Sequence, residues 1–119
     1  MKSSLWKQCD ILCSQVTALR DKGRCRLCGN PGSHSHHIVP RGYSGTTFMP
    51  INRLWLCKFC HNHDDIELGA KCIAEVGQHI YNALWERARV VTQLRESDLR
   101  EIKQELKEIL RLNRRNDES

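Results

Sequence analysis

A chain of 119 residues has the length of one small domain, and at that size only about two-thirds of the unfolded surface becomes buried, so a cross-linking metal carries weight. The formal charge of +5, from 19 basic and 14 acidic residues, favours a polyanionic partner, and no stretch is apolar enough for long enough to span a membrane. Seven cysteines are an odd number, and no apolar run near the start resembles a signal peptide; this argues against a secreted disulfide scaffold and predicts a reduced, cytoplasmic setting.

Over residues 3–20 the apolar positions Leu5, Cys9, Leu12, Val16 and Leu19 recur at three- and four-residue steps. That period predicts a leading helix within residues 1–23, capped by Ser3 or Ser4 and ending before Gly23. Cys25-Arg26-Leu27-Cys28 is a metal knuckle, and Asn30-Pro31-Gly32-Ser33 is a turn cluster. Residues 36–39 read as a strand closed by Pro40, which cannot donate to a ladder. Residues 41–47 read as a loop. Leu54-Trp55-Leu56 suits the return strand, which leads into the second knuckle, Cys57-Lys58-Phe59-Cys60.

After that knuckle, residues 60–65 are placed at the start of a helix, where acidic side chains meet the positive end of the dipole, and Gly69 is expected to break it. Ile73, Val76, Ile80 and Leu84 outline one further helix to about Arg89. Ser97 is the expected N-cap of a last helix with Asp98 in its first turn. Its apolar stripe of Leu99, Ile102, Leu106 and Ile109 suits either packing on the core or a coiled-coil-like homodimer contact. Residues from about Asn113 are polar and expected to fray.

The two Cys-x-x-Cys pairs, Cys25/Cys28 and Cys57/Cys60, are the strongest signal in the chain. Zn²⁺ prefers four ligands in a tetrahedron, and a two-residue gap lets both thiolates of a pair reach one ion. A structural zinc can contribute roughly 10–16 kcal/mol, comparable to the whole stability of an ordinary domain. Cys9, Cys13 and Cys72 fall in helical patterns and read as small buried hydrophobes. Arg20, Lys22, Arg24, Arg26, Arg41, Arg53 and Lys58 cluster around the ligand stretch, and phosphate binding accounts for them economically. Of these, Arg41, Arg53 and Lys58 are the candidate nucleic-acid contacts, with Arg41 just past the strand as a phosphate clamp.

Between the knuckles stand His36 and His37. Adjacent strand residues point to opposite faces, so these two cannot simply chelate one ion together, and the geometry suits a division of labour. The order His36-His37, then Asn52 shortly before Leu56-Cys57-x-x-Cys60-His61, resembles the HNH endonuclease family over roughly residues 24–65. The resemblance implies an α+β fold: a zinc-stapled ββα-metal (HNH/His-Me finger) core over residues 24–68, flanked by the N-terminal helix and by C-terminal helices over residues 69–119. It also implies that His36 and His61 hold a catalytic divalent ion (Mg²⁺, Mn²⁺, Ni²⁺ or Zn²⁺), that His37 is the general base, and that Asn52 orients it.

His63 is the alternative helix ligand, and Asp65, four residues after His61, is a candidate third. Ile73, Val76-Gly77-Gln78, Ile102-Lys103 and Glu105 resemble the tail of the NinG or Rap recombination endonucleases of lambdoid phages, which implies branched DNA as substrate and a bacterial or phage-infected host. The alternative reading is a non-catalytic, zinc-dependent DNA- or protein-binding module whose histidines merely decorate the hairpin.

Overall fold

Helix α1 (Ser4–Arg20) begins where its cap predicts, with Ser3 Oγ accepting from the Trp6 N–H at 3.1 Å. The computed structural model describes residues 3–62 and 65–118, with backbone alone at Asp65 and at residues 115–118. α1 buries Cys9, Cys13, Val16 and Thr17, while Leu19 faces solvent. Its C-terminus closes by a Schellman-type bond from the Gly23 N–H to the Ala18 carbonyl. Lys22 (φ 57°) and Gly23 (φ 70°) both take the left-handed conformation, so the reversal uses one more residue than the lone glycine expected.

Strands β1 (His34–His37) and β2 (Arg53–Leu56) form a two-stranded antiparallel sheet, with His34 opposite Leu56, His36 opposite Leu54 and His37 opposite Arg53. β1 lies two residues earlier than predicted. Its continuation leaves the ladder because Asn52 takes over: the Asn52 carbonyl accepts from the Ile38 N–H, and the Asn52 side chain both accepts from the Val39 N–H and donates to the Val39 carbonyl. Residues 41–47 are not all loop. Helix α2 (Ser44–Thr47) is a single buried turn, followed by a 3₁₀ turn (Pro50–Asn52) that feeds β2.

Helix α3 (Lys58–His61) is one turn, with the Cys57 sulfur accepting from the Cys60 N–H. Helix α4 (Asp65–Val76) passes straight through Gly69, where a Cβ would meet open space. The break falls instead at Gly77, whose φ of 92° is closed to most residues, and the helix expected over residues 73–89 is therefore split between α4 and α5 (Gln78–Val90). Helix α6 (Glu96–Glu118) starts before Ser97, with the Asp98 carboxylate accepting from the Arg95 N–H, and it continues well past Asn113.

Four small apolar clusters join these elements. Leu54 and Leu56 pack with Leu68 and Cys72 of α4 beside the knuckles, and Val39 packs on Leu84 and Ala88 of α5. α6 lies along α1 through Leu106 and Leu110 against Cys13 and Val16, and Leu99 meets Cys9 and Phe48. The stripe of α6 is thus covered largely from within the chain, with Leu110 taking the buried position expected of Ile109. Among the described residues, no helix is long and apolar enough to cross a membrane.

Candidate functional site

The two knuckles converge. One sulfur from each of Cys25, Cys28, Cys57 and Cys60 lies within 4.8 Å of all the others. Cys28 Sγ and Cys57 Sγ stand 3.6 Å apart, close to the about 3.8 Å that a tetrahedron with Zn–S near 2.3 Å requires. The knuckle backbones are held against the sheet: the Arg26 N–H donates to the Trp55 carbonyl and the Ser33 N–H to the Leu56 carbonyl. Gly32 is required here, because a Cβ would overlap the Trp55 ring.

The four thiols differ in how readily they ionise. Burial and the three neighbouring thiols push Cys60 up to about 12. Cys25 goes the other way: burial opposes its ionisation, but hydrogen bonds from backbone N–H groups outweigh that and bring it down to about 7. Four adjacent thiolates repel one another unless a metal neutralises them, so donor set, spacing and electrostatics all fit a structural ion such as zinc.

The alternation of β1 sorts its side chains. His34 and His36 share one sheet face with Leu54 and Leu56, toward the knuckle; Ser35 and His37 share the other with Arg53, toward α1. His61, at the end of α3, reaches the first face. Its ring stacks on His34 with centroids 4.7 Å apart and meets His36 edge-on at 5.4 Å. Among the described residues, the four cysteines are the group of three or more side chains whose ligand atoms converge closely enough to hold an ion; the three imidazoles meet through their rings.

His36 and His61 line a cleft of about 440 Å³ that also takes in His37, Pro40 and Arg41. His37 reaches it from the edge of the opposite face. Burial, reinforced by the positive Arg53 and Arg41, lowers its pKa to about 4, so its ring is neutral near pH 7. Its Nε2 lies 3.3 Å from the Thr47 hydroxyl.

The other candidates divide. Asn52 is fully buried and clamps the backbone two residues past His37, so it acts through the strand rather than by touching the ring. Arg41 and Lys58 are exposed, as nucleic-acid contacts must be. Arg53 is not: it is 1% exposed, and its guanidinium donates to the Thr47 carbonyl, Ser14, Ser35 and Asp10, with the Asp10 carboxylate at 2.7 Å. The expected phosphate contact is replaced by an internal strut between the sheet, α1 and α2. Arg20 and Arg26 likewise turn inward, to Asp21.

His61 and Asp65 do not share one helix, because α3 ends at His61 and α4 opens at Asp65. His63 lies outside the described residues, as does the side chain of Asp65. Thr47 and the structural role of Asp10 carry no sequence signal, since both depend on segments distant in the chain. His34 does carry one, its two-residue spacing from His36 on a strand.

No family model, no curated protein and no solved structure matches this chain.

Proposed function

We propose that the chain is a metal-dependent DNA endonuclease of the HNH type, built on a zinc-stapled ββα-metal core and hydrolysing phosphodiester bonds. One observation carries the reading: His36 and His61, with ring centroids 5.4 Å apart, line the same cleft as the neutral imidazole of His37. A divalent ion held by His36 and His61 would supply Lewis-acid polarisation of the scissile phosphate. His37 accepts a proton from the attacking water, for which a neutral ring is required. Asn52 fixes the strand end that carries His37, and the Thr47 hydroxyl engages the same ring. Arg41, exposed at the cleft, pairs with a phosphate oxygen.

The test uses zinc-loaded protein incubated with plasmid and with branched DNA, in Mg²⁺, Mn²⁺ or Ni²⁺, with His37→Ala in parallel. Cleavage by the parent and not by the variant is the expected result, and preference for the branched substrate would support the recombination role suggested by the tail residues. DNA binding with no cleavage under any ion would replace the proposal with a non-catalytic zinc-dependent binding module.

A further inference from the structure

A second cleft, of about 480 Å³, opens on the α1 side of the sheet and is lined by Trp6, Lys7, Ile11, His37, Arg41 and Thr47. It shares His37 and Arg41 with the cleft that holds His36 and His61, so the two cavities adjoin on either side of the same pair of residues. The first has the histidines of the proposed metal site; the second has an apolar wall of Trp6 and Ile11. Ile11 is 58% exposed, on the side of α1 opposite the buried Cys9, Cys13 and Val16. Trp6 packs edge-on against Phe48, with ring centroids 4.6 Å apart. Asp10 also borders the cleft, but its carboxylate is paired with Arg53. The cations Lys7 and Arg41 are both exposed.

We propose that this cleft is a nucleotide subsite: it takes the nucleoside next to the scissile phosphate of a DNA strand, with its base against Trp6 and Ile11 and the flanking phosphates on Lys7 and Arg41. The proposal rests on the nuclease reading and extends it to substrate form. A cavity of this volume belongs to the size class that holds one small molecule, which is room for a nucleotide. Apolar and aromatic walls beside cations are the features by which single strands are gripped without sequence preference, through stacking plus phosphate contacts. A base that enters must be unpaired, so the subsite favours DNA that is single-stranded beside the cut.

The experiment measures binding by fluorescence anisotropy, using the zinc-loaded chain without added catalytic ion. The probes are a short labelled single-stranded oligodeoxynucleotide and the same strand in a blunt duplex. The parent is expected to prefer the single strand. Ile11→Glu and Lys7→Glu should each weaken that binding by about tenfold, while Ile11→Val retains it, with zinc content and melting temperature unchanged throughout because both positions are exposed. Should Ile11→Glu melt early, Ile11→Ser and Lys7→Glu serve in its place.

Parent-like single-strand binding by both charge variants, or a parent preference for the duplex, overturns the subsite. Cleavage tells the two ideas apart. A parent that binds through Ile11 and Lys7 but never cuts leaves the subsite standing without the nuclease, whereas a parent that cuts with binding indifferent to both changes leaves the nuclease without the subsite.

Discussion

Asn52→Ala puts the strand clamp to the test. The Asn52 side chain is wholly buried and makes two hydrogen bonds, accepting from the Val39 N–H at 2.8 Å and donating to the Val39 carbonyl at 3.1 Å. Val39 is itself fully buried, so truncation leaves both of its backbone groups without partner or water. Each orphaned group costs about 1–3 kcal/mol, which places the loss at about 2–6 kcal/mol, a large share of the roughly 5–15 kcal/mol of an ordinary domain. Equilibrium urea unfolding of the zinc-loaded protein, followed by far-ultraviolet circular dichroism, measures it. Asn52→Asp sharpens the result: its carboxylate can still accept from Val39 N–H but faces the Val39 carbonyl with no proton to donate. Its penalty relative to the parent should therefore shrink at acid pH, where the protonated carboxyl can donate again. A loss below about 1 kcal/mol for Asn52→Ala would show that the clamp does not hold the strand end.

Three other perturbations have definite outcomes. Stripping zinc with a strong chelator, or Cys57→Ser, should remove metal and lower the melting temperature together, because folding and binding share one free energy; a Cys57→Ser protein that melts like the parent would refute the four-thiolate site. Arg53→Lys should cost about 2–4 kcal/mol in urea unfolding, since a lysine cannot serve the Thr47, Ser14, Ser35 and Asp10 acceptors at once, and a loss confined to DNA binding would restore the surface role. Asp21 is buried, yet donors from Arg20, Trp55 N–H and Arg26 hold its carboxyl below the ordinary carboxylate range. A depressed folded pKa gives stability that is present above the unfolded value near 3.9 and lost as pH falls through the folded one. Asp21→Asn should therefore cost about 1–2 kcal/mol at pH 7, moderated because Arg20 and Arg26 are 34% and 31% exposed, and the gap to the parent should narrow as pH falls below the unfolded value; a pH-independent gap would contradict it.

The legible parts of this chain are those whose physics is local. A Cys-x-x-Cys knuckle states its own geometry, and the periodicity of α1 and α6 states the buried faces except at Leu19 and Ile109, which are exposed. Two glycines show the limit: Gly69 and Gly77 look alike in sequence, but only Gly77 takes a left-handed φ, while Gly69 sits in an ordinary helical turn. Arg53 shows another. As a basic residue beside a metal knuckle it reads as a phosphate contact, and nothing nearby in sequence reveals that Asp10 and Ser14, across the fold, will claim it. The histidine pair was readable as a division between two faces, whereas the sharing of one cleft by His36, His37 and His61 depends on how α3 meets the sheet.

The contact of α1 with α6 has a consequence for synthesis. Cys9 Sγ donates to the carbonyl of Leu99, 90 residues later, and Leu106 and Leu110 lie further still along the chain. At about 5–20 residues per second, a ribosome needs roughly 5–20 s to cover that interval. In its second half both knuckles have been synthesised and can capture zinc, while the part of α1 that Leu106 and Leu110 cover, at Cys13 and Val16, still waits for α6. Order of appearance thus favours a metal-closed centre first and the closing of α6 over α1 last.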